Sequence, residues 1–342
     1  MEPPPGFPLP KPGLVWILLW SLYSLKQAAC EWYLEMKTKF SKIGWTRTDA
    51  DYTIFTQQDK HRTSILGAHV NDILLAVPKP SLTPQKDDLL STFNMHYMGD
   101  LHWYTGIKIV HDHAQCTITI SQDLYIHNIL QHFNMAEAHP TATLMATKLK
   151  LEKLDAPTAD VQLYQSMLGS VMYAMTGTRP NLAFAVGYLS RHSGTPSNEH
   201  LSTLKRVYCY LVKTKDMSLT FDGKKSDVLY GFTDLDWAGD PVDHKSVTGI
   251  MWILCGAPVG WSSRKQTSIV LSSTEAEYIA ITQGTHDALW YRHLLSDLSY
   301  PMHEPTTIYI DNQSAIAIAH NEKFSERMKH LEVGHQIGRA HV

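Results

Sequence analysis

Residues 233–272 read TDLDWAGDPVDHKSVTGIMWILCGAPVGWSSRKQTSIVLS, and they are followed by STEAEYIA at 273–280 and TIYIDNQSAIA at 307–317. Short β-forming runs broken by glycine and proline are typical of antiparallel strands joined by turns. The stretch therefore predicts a three-stranded meander. Its strands are expected at 228–233, 246–255 and 259–263, with turns at Asp240-Pro241 and at 256–258.

A long helix is predicted behind the meander, from Ser272 to about Leu298. Small and apolar residues form one stripe along it, which suits a helix that lies close to a sheet. The stripe consists of Ala276, Ala280, Gly284, Ala288, Tyr291, Leu295 and Leu298. A further strand is predicted at 306–310 and another helix from Asp311. The expected fold is a sheet covered by helices, in an α/β or α+β arrangement.

Three acids, Asp234, Glu275 and Asp311, fall at the end of a predicted strand or the start of a predicted helix. Carboxylates clustered in space are the ligands that Mg²⁺ prefers, and two divalent ions can activate water for cleavage of a phosphodiester. A nuclease site is one interpretation of the pattern. The other is structural, because Asp234 and Asp311 suit turns and caps, and Ser272 with Glu275 fits a capping box.

Composition sets loose limits on function. The chain has 342 residues and is 44% hydrophobic, so about two globular domains are expected. A formal net charge of −3 gives no electrostatic argument for nucleic-acid binding. Four widely spaced cysteines predict no zinc site or disulfide framework and fit a reducing compartment.

The N-terminal region contains a Pro-rich tail at 1–13 and an uncharged run at 14–25. Twelve residues are too few to cross a bilayer, which takes about 20, and the start lacks the basic residues of a signal peptide. We expect residues 14–25 to form buried strand and helix. The sequence thus predicts no signal peptide or transmembrane segment and a cytoplasmic protein, and secretion is the alternative interpretation of this segment.

Between these regions the pattern is mixed. Residues 63–77 predict two strands that meet at Asn71-Asp72, and 121–133 predict a helix capped by Ser121 or Asp123. Residues 139–160 predict a linker. Two amphipathic helices are expected after it, at 161–175 and 198–214.

Several further sequence blocks support an assignment to a known family. They are MEPPPGFP (1–8), SLYSLKQAACEWY (21–33), HVNDILLAV (69–77), MGDLHWYTGIKI (98–109), ISQDLYIHNIL (120–130) and LYQSMLGSVMYAMTGTRPNLAFAVGYLSR (163–191). With the blocks at 233–317, they make the chain resemble the Pol polyprotein of copia-type LTR retrotransposons. The similar part is the C-terminal portion of the reverse transcriptase together with ribonuclease H.

The resemblance implies a domain order. After the tail at 1–13, it implies a partial palm and thumb at 14–135, a linker and helical connection at 136–225, and a ribonuclease H-like mixed sheet flanked by helices at 226–342. The family's similarity stops at Gly334, so we expect the last strand and helix of that domain, and the fourth carboxylate they carry, to be missing.

The resemblance also implies site residues. Asp234, Glu275 and Asp311 match three of the family's four metal-binding carboxylates, which hold two Mg²⁺ or Mn²⁺ ions. The palm motif Tyr-Val-Asp-Asp is degenerate here and reads His69, Val70, Asn71 and Asp72. The family's other polymerase aspartate lies upstream of the segment that begins this sequence. We therefore expect Asp72 to be the one metal-binding carboxylate of the polymerase site that remains, and we expect no DNA polymerisation.

Two functional classes stay open at this point. One is a residual ribonuclease H that cuts RNA in RNA–DNA hybrids. The other is a non-catalytic retrotransposon relic or hybrid-binding module. By resemblance, the partners are an RNA–DNA hybrid or RNA template and a Gag-like particle protein, and the location is a cytoplasmic virus-like particle.

Overall fold

The structure is a computed structural model, and it describes residues 17, 25–59, 62–147, 149–152, 154–236, 239, 244–267 and 272–320. Eight α-helices and twelve β-strands occur in these residues, and the strands form three four-stranded sheets. The mixed helix and sheet composition predicted from sequence is confirmed. Two compact units are present, Met1–Tyr97 with His293–Pro301, and Met98–Arg292 with Met302–Val342.

The first unit is an antiparallel sheet covered by helices. Its elements are α1 (Ala28–Lys42), β1 (Thr46–Arg47), β2 (Ile54–Gln58), β3 (Thr63–His69), β4 (Asp72–Ala76) and α2 (Leu82–Thr92), and the sheet order is β1-β2-β3-β4. The aromatic ring of Phe40 on α1 lies 4.8 Å from that of Phe55 and 5.1 Å from that of Phe93, and all three are buried. The hairpin predicted at 63–77 is confirmed.

The second unit begins with a sheet and a helical bundle. They comprise β5 (Trp103–Tyr104), β6 (Ile107–Asp112), β7 (Thr117–Ser121), α3 (Asp123–His132), α4 (Val161–Gly177), α5 (Ala183–Ser190), α6 (Asn198–Thr214) and β8 (Ser218–Asp222). The sheet order is β5-β6-β7-β8, and the four helices bury one apolar core. The predicted helices at 161–175 and 198–214 are confirmed, and the described residues of 139–160 form a linker without helix or strand.

Side-chain caps set the starts of two of these helices. Asp160 accepts a hydrogen bond from Leu163 N at 3.0 Å, and Ser197 forms a capping box with His200. The expected cap of α3 is wrong. Ser121 ends β7, and the N-cap residue is Gln122, without a side-chain cap bond.

The third sheet also belongs to the second unit. It contains β9 (Tyr230–Asp236), β10 (Val247–Leu254), β11 (Ala257–Lys265) and β12 (Thr307–Tyr309), in the order β11-β10-β9-β12. The predicted meander is confirmed as β9, β10 and β11, and β12 joins β9 in parallel. The helices beside it are α7 (Ser273–Asp297) and α8 (Gln313–His320).

The turn between β10 and β11 differs from the prediction at 256–258. Leu254 pairs with Ala257, so the loop consists of Cys255 and Gly256 alone. Both have positive φ, 51° and 77°. A two-residue hairpin turn of the I′ type requires that conformation, and it matches the twist of the strands.

Some predictions fall outside the described residues. They are the tail at 1–13, the turn at Asp240-Pro241 and nearly all of 14–25. Within 14–25 the structure describes Ile17 and Leu25, and both are exposed rather than buried. Among the described helices, none has the length and apolarity to cross a membrane. The domain boundaries implied by resemblance remain predictions.

Candidate metal centre

Two of the predicted acids are brought together by the parallel pairing of β9 and β12. Tyr309 on β12 is the partner of Phe232 on β9. Asp311 and Asp234 each follow these paired residues by two positions. Because the strands are parallel, both acids lie at the same edge of the sheet. Both are exposed, and Asp234 Oδ1 accepts a hydrogen bond from Leu235 N at 2.8 Å.

The third carboxylate at this edge belongs to Glu277 on α7. Asp234, Glu277 and Asp311 each offer a carboxylate oxygen, and these oxygens lie within 4.8 Å of one another. Glu277 is only 5% exposed, and its Oε2 has no hydrogen-bond partner in the described part of the chain. The sheet edge and the helix together thus form one acidic cluster.

Glu275, the third acid predicted from sequence, is not a member of this cluster. It lies in the first turn of α7, where its backbone N–H donates to Ser272 Oγ at 3.2 Å. Ser272 therefore caps the helix, as the structural interpretation of this segment proposes. Residues two apart on a helix are rotated by about 200°, so Glu275 and Glu277 project in nearly opposite directions.

A signal for Glu277 was present in the sequence. The predicted stripe on α7 includes Gly284, and Glu277 precedes it by seven residues, which places both on one face. Glu275 precedes Gly284 by nine residues and is half a turn away. Glu277, and not Glu275, therefore lies on the face of α7 that meets the sheet.

The environment of Glu277 favours its protonated form. Burial, followed by the negative charges of Asp311 and Asp234, raises the pKa of its carboxyl from 4.5 to about 7. A divalent cation would remove this cost by giving the three carboxylates an opposite charge to bind. The donor set is made of hard oxygens, and Glu277 Oε2 is buried without a hydrogen-bond partner among the described residues, so these residues fit Mg²⁺ or Mn²⁺.

The degenerate palm motif lies at the tip of the hairpin formed by β3 and β4. His69 pairs with Asp72, and Val70 and Asn71 form the turn. Val70 has φ 55°, a region that β-branched residues rarely occupy, and its carbonyl accepts a hydrogen bond from Trp32 Nε1 at 2.8 Å. Among the described residues, Asp72 belongs to no group of three or more potential metal ligands.

Comparison with known proteins adds the family context. Residues 1–147 match the family model described as reverse transcriptase (RNA-dependent DNA polymerase). The chain is 35% identical, over 97% of its length, to the Retrovirus-related Pol polyprotein from transposon TNT 1-94 of Nicotiana tabacum, of which it covers 26%. It is 34% identical, over its whole length, to the Retrovirus-related Pol polyprotein from transposon RE2 of Arabidopsis thaliana, of which it covers 24%.

A shorter relative is similar over most of its own length. The Uncharacterized mitochondrial protein AtMg00810 of Arabidopsis thaliana is 30% identical over 65% of this chain and 92% of that protein. The chain thus spans about a quarter of the two Pol relatives and most of the mitochondrial one. No solved structure gave a significant match.

Proposed function

This chain belongs to the Pol polyprotein family of copia-type retrotransposons, with a reverse transcriptase domain, and we propose that it also carries a divalent-metal nuclease of the ribonuclease H type. The substrate of this nuclease is an RNA–DNA hybrid, in which the RNA strand is cut. From the family context we also expect a Gag-like particle protein as a partner and a cytoplasmic particle as the location.

The observation that carries the proposal is the cluster of Asp234, Glu277 and Asp311, whose oxygens lie within 4.8 Å of one another. An isolated surface aspartate has many structural roles. Three carboxylates from two parallel strands and a helix, one of them nearly buried, are costly to bring together without a cation, because like charges repel in a partly desolvated site. The arrangement is therefore better suited to binding a metal than to supporting the fold.

Each residue has a distinct part in this proposal. Asp234 and Asp311 present carboxylates at the exposed edge, where a phosphodiester can approach. The bond from Leu235 N to Asp234 Oδ1 fixes the orientation of that side chain. Glu277 supplies the carboxylate from α7. Its carboxyl group would lose its proton when a divalent cation binds. When bound, divalent ions activate water as the nucleophile and stabilise the leaving oxygen.

We infer that the chain does not polymerise DNA. Asn71 stands where the family motif has its first aspartate, and a neutral amide oxygen is a weaker Mg²⁺ ligand than a carboxylate. Purified protein should give no primer extension on an RNA template. Extension that disappears in Asp72→Asn would overturn this inference.

The nuclease is tested by cleavage of a labelled RNA–DNA hybrid in Mg²⁺ and then in Mn²⁺, with Asp311→Asn beside the wild type. Circular dichroism verifies that both proteins are folded. Cleavage that Asp311→Asn abolishes supports the proposal. Folded wild-type protein that binds the hybrid without cutting it would instead identify a hybrid-binding module. Folded wild-type protein that neither binds nor cuts the hybrid would identify a relic.

A further inference from the structure

We propose that Gln266 is a positioning residue that fixes the location of Glu277 relative to Asp234. Gln266 directly follows β11 and precedes α7, and its side-chain amide bonds to Thr248 and Ala276 rather than to the three acids. It would act through the backbone that carries Glu277. The role in metal binding depends on the nuclease proposed above, because it requires Asp234, Glu277 and Asp311 to hold the metal.

The side-chain amide of Gln266 joins the sheet to the helix. Its Nε2 donates to Thr248 Oγ1 on β10 and to the carbonyl of Ala276 on α7, both at 2.9 Å. A carbonyl oxygen can only accept, so the nitrogen of the amide must be the atom that faces Ala276. Ala276 immediately precedes Glu277, and the contact therefore fixes the backbone at the acid itself.

The other end of the bridge leads to Asp234. Thr248 is the cross-strand partner of Leu235, and the next residue, Gly249, is the partner of Asp234. The backbone of Gln266 extends the pairing of β11 with β10, since its N–H donates to Ser246 O at 2.8 Å. One side chain thus connects the strand beside Asp234 with the residue before Glu277.

Burial makes this bridge stiff and costly to lose. Gln266 is 3% exposed and Thr248 is 1% exposed, so water does not easily replace their hydrogen bonds. The Ala276 carbonyl also accepts the helical bond from the amide four residues later, so Gln266 supplies a second donor to the same oxygen. A helix start needs such support, because its first backbone N–H groups have no partner within the helix, and Ser272 Oγ caps one of them here.

The test is Gln266→Met, which keeps the length and volume of the side chain and removes its amide. Gln85→Met is a matched control in the first unit. Gln85 is also buried, also donates from Nε2 to a hydroxyl (Ser64 Oγ at 2.9 Å), and also has an Oε1 without a partner among the described residues. The two variants remove similar bonds, but only one lies beside the acid cluster.

The first readout is Mn²⁺ affinity of the full chain, measured by calorimetric titration, with Asp311→Asn used to assign the signal to the cluster. We expect Gln266→Met to weaken binding by roughly 10–100-fold, the range found for groups that orient metal ligands. Gln85→Met should leave the affinity unchanged. Wild-type affinity in Gln266→Met would overturn the proposal.

The second readout does not depend on metal. Hydrogen exchange of the Ala280 amide, which bonds to the Ala276 carbonyl, should accelerate in Gln266→Met relative to the Ala288 amide on the same helix. Equal acceleration of both amides would reflect general destabilisation and would overturn a positioning role. If the wild type binds no Mn²⁺ that Asp311→Asn removes, the nuclease proposal fails, and this exchange ratio alone decides whether Gln266 positions Glu277.

Discussion

Glu277 and Gly284 share one face of α7, and that face meets β9. A Cβ atom added to Gly284 would lie 2.8 Å from Thr233 Cγ2, so the helix and the strand approach closely at this point. Glu277, two turns earlier, is carried along the same side toward Asp234, which directly follows Thr233. The close approach at the glycine is therefore part of how the acid reaches the cluster.

Glu277→Gln and Glu275→Gln distinguish the two glutamates of the STEAEYIA segment. We expect Glu277→Gln to abolish both Mn²⁺ binding and hybrid cleavage, because it removes a charged ligand from the cluster. Glu275→Gln should retain both within a few-fold. Calorimetric titration and a cleavage assay provide the measurements, and the opposite outcome would restore the acid predicted from sequence.

Glu277 should also make the metal-free protein less stable as pH rises. Its pKa is about 7 when folded and ordinarily 4.5, so the folded state binds the proton more tightly. The stabilisation is complete below about pH 4.5 and is lost as pH rises through 7. By linkage it amounts to on the order of 3 kcal/mol.

This pH effect is measured by urea denaturation at several pH values between 5 and 8 in the presence of a chelator. Glu277→Gln should flatten the profile relative to wild type, since an amide does not titrate there. Identical slopes in the two proteins would show that the carboxyl of Glu277 is neither buried nor close to the charges of Asp234 and Asp311.

Gly284→Ala should destabilise the protein although alanine favours helices. The added methyl overpacks α7 against Thr233, which typically costs about 1–3 kcal/mol and exceeds the helical gain of up to about 1 kcal/mol. Gly169→Ala on α4 is the control. An added Cβ there meets nothing within 4 Å, so we expect stabilisation by about 0.5–1 kcal/mol. Opposite shifts in the urea midpoint would be the confirming pattern.

Arg179→Met should destabilise the helical bundle strongly. Arg179 is 1% exposed, and its guanidinium donates to Thr214 O at 2.9 Å and to Thr214 Oγ1 at 2.6 Å, at the last residue of α6. Loss of these bonds removes the charged donor from the half-buried end of α6, where the Thr214 carbonyl keeps the bond from Met217 N at 3.2 Å, and we expect a cost of about 2–4 kcal/mol.

Arg179→Lys provides a graded test of the same contact. It keeps the charge but lacks the planar fork, so an intermediate loss is expected. Lys213→Met, one position before Thr214 and exposed, should change the unfolding free energy by less than about 0.5 kcal/mol. A loss in Arg179→Met as small as in this control would contradict the capping role.

Local patterns were sufficient to predict many elements. Asn71 and Asp72 between two apolar runs predict the hairpin of β3 and β4, because turn-prone residues interrupt β-forming ones. The bounds of α6 agree with its prediction, since Ser197 supplies a cap and the helix is amphipathic. In contrast, α5 is apolar on all sides and offers no period by which to detect it.

Other features depend on contacts that no local pattern contains. Strand β8 pairs with β7 across the intervening bundle, and its register is decided by where the chain returns. The choice between Glu275 and Glu277 depends on which helix face contacts β9. The proximity of Asp234 and Asp311 could be predicted because strand ends are visible in the sequence, but which glutamate of α7 lies beside them depends on the rotation of the helix about its axis.

The parallel pairing of β12 with β9 has a consequence for the order of folding. The two strands are separated by the whole of β10, β11 and α7, so their pairing closes a long loop and is expected to be slow. The helical bundle is built largely from contacts closer in sequence, so it can form earlier. During synthesis, a chain that has not yet reached Asp311 would already contain the helical bundle but lack a complete acid cluster, and we therefore expect the capacity of this cluster to bind a metal to appear last.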